Sequence, residues 1–224
     1  MDNISIILIV VASLITMGAS SYINLNYSKY KKVSVQSKKT GYDVAREILD
    51  RNGLSKVLIL ETEGELTDHY DPTKKVVKLS HDIYHGSTVA AVSVASHECG
   101  HALQDKNGYA FLKFRNTIVP LVNFSSKIGY AAIMAGLFFS MVKLIWIGIA
   151  FEIVILLFQL VTLPVEFNAS RRALKKIEEY KFVNKNEYVG AKKMLRAAAL
   201  TYVAGVISAL TEILRLVLSF TRRR

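Results

Sequence analysis

The sequence predicts an α-helical membrane protein of about four transmembrane helices that carries a small α+β segment. Three observations predict it. Apolar residues make up 51% of the 224 residues, with a positive mean hydropathy. They gather into long runs separated by basic polar stretches. One of those polar stretches passes from a helical apolar period into short strand-like runs and back to a helix.

The first run, residues 4–23, carries no charge. About 20 apolar residues match the ~30 Å hydrocarbon core at ~1.5 Å per residue. A signal peptide would need a basic segment before a shorter apolar one. Here the only charged side chain before the run is Asp2, and Lys29, Lys31, Lys32, Lys38 and Lys39 follow it. Residues 1–27 therefore read as an uncleaved membrane anchor.

Residues 28–127 form the first polar segment. Thr40 and Asp43 have the spacing of an N-cap and its acidic N3 partner. The period Val44, Ile48, Leu49 continues the helix, and Asn52-Gly53 closes it. Strand-like runs follow at 56–61, 65–70 and 74–80, with a turn signal at Asp71-Pro72 between the last two. Ser87 or Thr88 caps a helix that runs to about Asp105.

Residues 128–164 are too long for one span. They divide into a hairpin of 128–142 and 145–164, with Lys143 and Trp146 at the far interface. Residues 165–196 form a helical polar segment. Residues 197–224 hold a last apolar span, 197–219, and a basic tail. Glu212 and Arg215 in that span are three apart and able to pair, and like Glu152 they are expected to face the bundle.

The polar segments are both basic and are separated by an even number of crossings. The positive-inside rule places both in the cytoplasm and the N-terminus outside. Four full crossings would then put Arg222, Arg223 and Arg224 outside, against the rule, so the last span reads as a crossing, a re-entrant segment or a helix lying in the interface.

The net charge of +11 sits mostly beside apolar spans, where it meets anionic headgroups, and no aromatic-basic nucleic-acid motif accompanies it. The single cysteine, Cys99, excludes an intrachain disulfide and a multi-cysteine metal site.

The chemistry lies in residues 96–105, SHECGHALQD. His97 and His101 are four apart and share one helical face, where two imidazoles can take two corners of a Zn²⁺ tetrahedron. Glu98 projects about 100° round from His97, near enough to meet a water without ligating. Ala90, Ala91, Ala95, Ser96, Gly100 and Ala102 are small and leave room for close packing. Cys99 falls on the wrong face and reads as a packing residue. A second histidine pair, His81 and His85, falls beside the Gly86-Ser87 break and reads as a loop. A catalytic zinc needs a third protein ligand. The best candidate is Glu166, which emerges just after the third span; Ser170, one turn on, suits a group that orients a zinc histidine.

Three motifs, LTDHYDP (66–72), ASHECGHALQ (95–104) and LPVEFNASRRAL (163–174), resemble the YugP-type neutral zinc metallopeptidases of bacterial membranes. The likeness runs from about residue 40 to 215. More widely the chain is similar to the membrane gluzincins related to the HtpX and CAAX-processing proteases. These combine HExxH with a downstream glutamate in an E-x-x-A-D-type helix. The corresponding run here is Glu166 to Ser170, with serine in place of the aspartate.

The resemblance implies a zincin-like catalytic segment and a zinc-dependent endopeptidase in a bacterial plasma membrane, multi-pass, acting on protein or peptide substrates associated with the bilayer. Zn²⁺ would be held by His97, His101 and Glu166, with Glu98 as general base. Arg171, Arg172, His69 and Tyr202 are candidate donors to the oxyanion. The strand at 74–80 is a candidate edge for an extended substrate.

Two other classes compete. A catalytically silent zinc-binding scaffold would not need the intact Glu98. A metal transporter would place its histidines within a span, and here they lie in a polar segment.

Overall fold

A computed structural model describes residues 3–221 as seven helices and three strands. The chain divides into two units. One contains residues 1–20, 113–164 and 200–224; the other contains 21–112 and 165–199.

In the first unit lie the apolar lengths of α1 (Asn3–Tyr30), α5 (Ala110–Phe138), α6 (Val142–Glu179) and α7 (Lys185–Thr221). All four are long and apolar enough to cross a membrane. Hydroxyls tie α1 to α7: Ser5 Oγ lies 3.1 Å from Ser219 Oγ, and Thr16 Oγ1 lies 2.7 Å from Ser208 Oγ. As numbers rise on α1 they fall on α7, so the two helices run antiparallel.

Glycines set the α5–α6 contact. A Cβ on Gly148 would stand 2.9 Å from the Gly129 carbonyl oxygen, and one on Gly136 would stand 2.5 Å from Ile145. Small residues allow such close backbone approach where no hydrophobic effect drives helices together. Ile145, Ile149, Leu216 and Phe220 make a small core between α6 and α7. The Arg215 guanidinium pairs with the Glu212 carboxylate, with Nε to Oε2 at 2.9 Å.

The hairpin turns earlier than its sequence suggests. The turn occupies residues 139–141, with Ser140 at a φ of 56°, and Lys143 and Trp146 both lie within the first turns of α6. The span before it begins its helix at Ala110, not near 128. Lys113, Arg115 and Lys127 mask that length in the sequence, because long basic side chains can lay their apolar stems along a helix and carry the charge away while the helix continues. The last span is one continuous helix with the preceding polar residues. Asp2, Arg222, Arg223 and Arg224 lie outside the described residues.

In the second unit, α2 (Gly41–Arg51) starts with a capping box. Thr40 Oγ1 accepts from the Asp43 amide, and the Asp43 carboxylate accepts from the Thr40 amide. Val44, Ala45, Ile48 and Leu49 are fully buried, and Gly53 takes the positive φ of 69° that ends the helix.

Strands β1 (Leu58–Thr62), β2 (His69–Asp71) and β3 (Val76–Ser80) form one sheet in the order β1-β3-β2. β1 pairs parallel and β2 antiparallel with β3. The expectation that the 74–80 strand offers an edge is therefore wrong: β3 is paired on both sides. Its alternate residues Val77 and Leu79 are both fully buried, as a central strand requires. The 65–70 run also shrinks to a short edge strand.

Residues 81–85 are not a loop. They form a short helix, α3 (His81–His85), directly after β3. Thr88 then caps α4 (Val89–Lys106), with its Oγ1 accepting from the Ala91 amide. One core joins the ends of these elements, with Tyr27, Ile48, Leu79, Val89, Cys99, Ile177 and Phe182 in it.

Removing the α2 cap isolates one local contribution. Thr40→Ala should lower the unfolding free energy by about 1 kcal/mol in a denaturant titration in micelles. An unchanged midpoint would mean that tertiary packing alone holds α2.

Candidate metal centre

The centre is built where α4 crosses the polar end of α6. Gly100 makes the crossing possible: a Cβ there would stand 2.6 Å from the Ala169 carbonyl oxygen. The flanking residues are equally small, with Ala95, Ala102, Ala169 and Ala173 all buried.

Close approach turns His97 and His101 of α4 toward Glu166 of α6. His97 Nε2 lies 3.2 Å from Glu166 Oε2, and His101 Nε2 lies 3.6 Å from the same oxygen. A ligand atom from each of the three residues lies within 4.8 Å of the other two. Bonds of about 2.0–2.2 Å to a tetrahedral zinc set neighbouring ligand atoms about 3.3–3.6 Å apart. Glu166 is 2% exposed and His101 8%.

The surrounding hydrogen bonds place a proton on one nitrogen of His101. Arg172 Nε donates to Asn168 Oδ1 at 2.8 Å, so that atom is an acceptor. Gln104 Nε2 donates to the same oxygen at 3.0 Å and to the Val165 carbonyl at 2.7 Å. Gln104 Oε1 therefore faces His101 Nδ1, 3.0 Å away, and that nitrogen must carry a proton. In the neutral imidazole Nε2 is then a lone pair, and it points at a carboxylate oxygen. Two electron-rich atoms facing each other in a buried site fit a cation between them. Ser170 Oγ lies 3.2 Å from His97 Nδ1, where it can accept that ring's proton and turn its lone pair the same way.

Glu98 is 7% exposed and borders the group. Burial pushes its carboxyl up to about 7, against the pull of His97; the Glu166 and Asp68 charges add to the rise, and the Tyr70 amide, hydrogen-bonded to it, opposes. A divalent cation on the neighbouring ligands would draw it back toward the ionised form. Cys99 is buried with its Sγ 3.6 Å from the Ala45 carbonyl, and burial raises its thiol, as suits a packing residue.

The candidate oxyanion donors have the following surroundings. His69 is exposed on β2, with Nδ1 2.8 Å from the Thr67 carbonyl. Arg171 is exposed. The Arg172 guanidinium is engaged with Asn168. Tyr202 belongs to the first unit and lines a cavity there with Arg115, Gln159 and Thr162. Gln104 and Asn168 were not among the sequence candidates. The available signal for Gln104 was its position one turn after His101 on the same helix.

Residues 5–221 match the model of a family described as "Putative neutral zinc metallopeptidase". The chain belongs to that family. It is also 45% identical over 219 residues to the "Putative membrane protease YugP" of Bacillus subtilis (strain 168), covering 98% of this chain and 97% of that one. No solved structure gives a significant match. Membership of a zinc peptidase family and the fit of the donor set agree on the class of ion.

Gly100→Ala tests the crossing. The added methyl should cost about 1–3 kcal/mol of stability. By separating α4 from Glu166 it should also weaken zinc binding by roughly 10–100-fold, the range for lost outer contacts at zinc sites. Zinc retention at wild-type affinity would show that the approach does not govern the site.

Proposed function

We propose that this chain is a membrane-embedded zinc endopeptidase in which His97, His101 and Glu166 hold the metal and Glu98 is the general base. The convergence of two histidines and a glutamate from distant helices, with a second buried glutamate beside them, carries the reading. Zinc bound there would supply Lewis acidity, polarising the scissile carbonyl and making an attacking water more acidic.

Glu98 takes the proton from the attacking water and returns it to the leaving amine. Burial raises its carboxyl and a cation on the neighbouring ligands would lower it again, opposing pulls that suit a group which must both take and return a proton. Gln104 and Ser170 hold the imidazoles so that Nε2 faces the metal position. Arg172 and Asn168 brace Gln104. With β3 enclosed, β1 and β2 are the edge strands of the sheet, and β2, whose Tyr70 amide reaches Glu98, is the edge on which an extended substrate pairs.

Substrates are membrane-associated proteins or peptides, and the second unit faces the cytoplasm of a multi-pass plasma-membrane protein. Support for the orientation comes from the basic character of residues 24–127 and 165–196.

Three measurements test this. Glu98→Gln should keep zinc and lose about 10²–10⁴-fold in peptidase activity; wild-type cleavage would exclude the base. Glu166→Gln should lose zinc in a metal assay while Glu178→Gln keeps it, and the reverse pattern would overturn the ligand assignment. Lys56→Cys and Lys181→Cys, both at exposed positions, should resist impermeant thiol reagents in intact cells and react after lysis. Labelling of either in intact cells would place that segment outside.

A further inference from the structure

A second group of ligating side chains lies apart from the first, and it arises from the helix that the sequence concealed. Among the described residues, Glu61, His81 and His85 also offer ligand atoms within 4.8 Å of one another. Glu61 is in β1 and pairs in parallel register with Leu79 of β3. Because α3 starts immediately after β3, the end of β1 lies beside the first turn of α3. His81 and His85 are one helical turn apart on α3, with ring centroids 4.8 Å apart.

Each imidazole meets a different oxygen of the same carboxylate. His81 Nδ1 lies 2.5 Å from Glu61 Oε1, and His85 Nε2 lies 3.1 Å from Oε2. The histidines, His81 first, hold the Glu61 carboxyl below its ordinary value, so it is ionised at neutral pH. The side chains are 73%, 54% and 42% exposed for His81, His85 and Glu61.

We propose that Glu61, His81 and His85 form a second, surface metal site for a borderline divalent ion of the Zn²⁺, Co²⁺ or Ni²⁺ class. Two imidazoles and one carboxylate favour such ions over Mg²⁺ or Ca²⁺, which prefer oxygen ligands. Exposure leaves the remaining coordination positions to water. The bound ion joins β1 to α3 and so braces the corner that leads into α4. The site is independent of the buried one: no residue is shared, and neither needs the other to be filled.

Zinc counting on full-length, tag-free protein in detergent, equilibrated with micromolar free Zn²⁺, tests it. Wild type should hold about two ions per chain, one for each three-ligand group. The variant His81→Ala/His85→Ala should hold about one and keep its peptidase activity. Glu61→Gln should weaken only the less tightly held ion. His97→Ala/His101→Ala should also hold about one, retained at the surface. A wild-type count of one that vanishes in His97→Ala/His101→Ala overturns this site and leaves the buried one standing. A single ion lost only with His81 and His85 does the opposite. Two ions persisting in His81→Ala/His85→Ala overturns the proposal.

Discussion

The buried centre depends on how closely the backbones of α4 and α6 approach at Gly100 and Ala169. With hydrogen as its side chain, Gly100 admits a carbonyl oxygen where a methyl group would collide. That separation brings Glu166 Oε2 to 3.2 and 3.6 Å from the two imidazoles and Ser170 Oγ to 3.2 Å from His97. It also lets Gln104 of α4 reach the Val165 carbonyl and Asn168 on α6. Larger residues at the crossing would move every one of these contacts together, because α4 and α6 each carry their groups on a rigid helical face.

Burial gives those contacts their chemical consequence. A carboxylate and two imidazoles withdrawn from water need compensation, and Gln104 Oε1 and Ser170 Oγ accept from the outer Nδ1 atoms of the two imidazoles. The inward-facing nitrogens and oxygen remain electron-rich, a donor set suited to a cation. The same desolvation lifts Glu98 toward neutrality. One environment thus sets two buried glutamates beside the same pair of imidazoles. The difference is direction: Glu166 points at both imidazole Nε2 atoms, whereas Glu98 receives the Tyr70 amide from β2.

The sheet has a supporting part with two outcomes. Placing β3 in the centre buries Val77 and Leu79 and leaves β2 as the edge beside α4. The parallel pairing of β1 with β3 sets Glu61 next to α3. The surface cluster of Glu61, His81 and His85 is a product of that pairing, since strand register and the immediate β3–α3 junction determine which side chains meet.

What the sequence determined alone is local. The Thr40–Asp43 capping box, the Thr88 cap, the one-face spacing of His97 and His101, the pairing of Glu212 with Arg215 and the presence of four long apolar helices each depend on residues within a few turns of each other. Short-range geometry is set by the period of the helix, so spacing reveals it. The α5 start escaped detection because isolated basic residues broke up its apolar pattern, and α3 because five residues are too few to show a period. Glu166 was a candidate from its place in the chain and from a family likeness. Its distance to the histidines, the tautomer imposed by Gln104, the enclosure of β3 and the meeting of Glu61 with His81 and His85 were decided only by the tertiary structure. Each joins residues far apart in sequence, and such contacts follow from strand order and helix crossing, which no local pattern encodes.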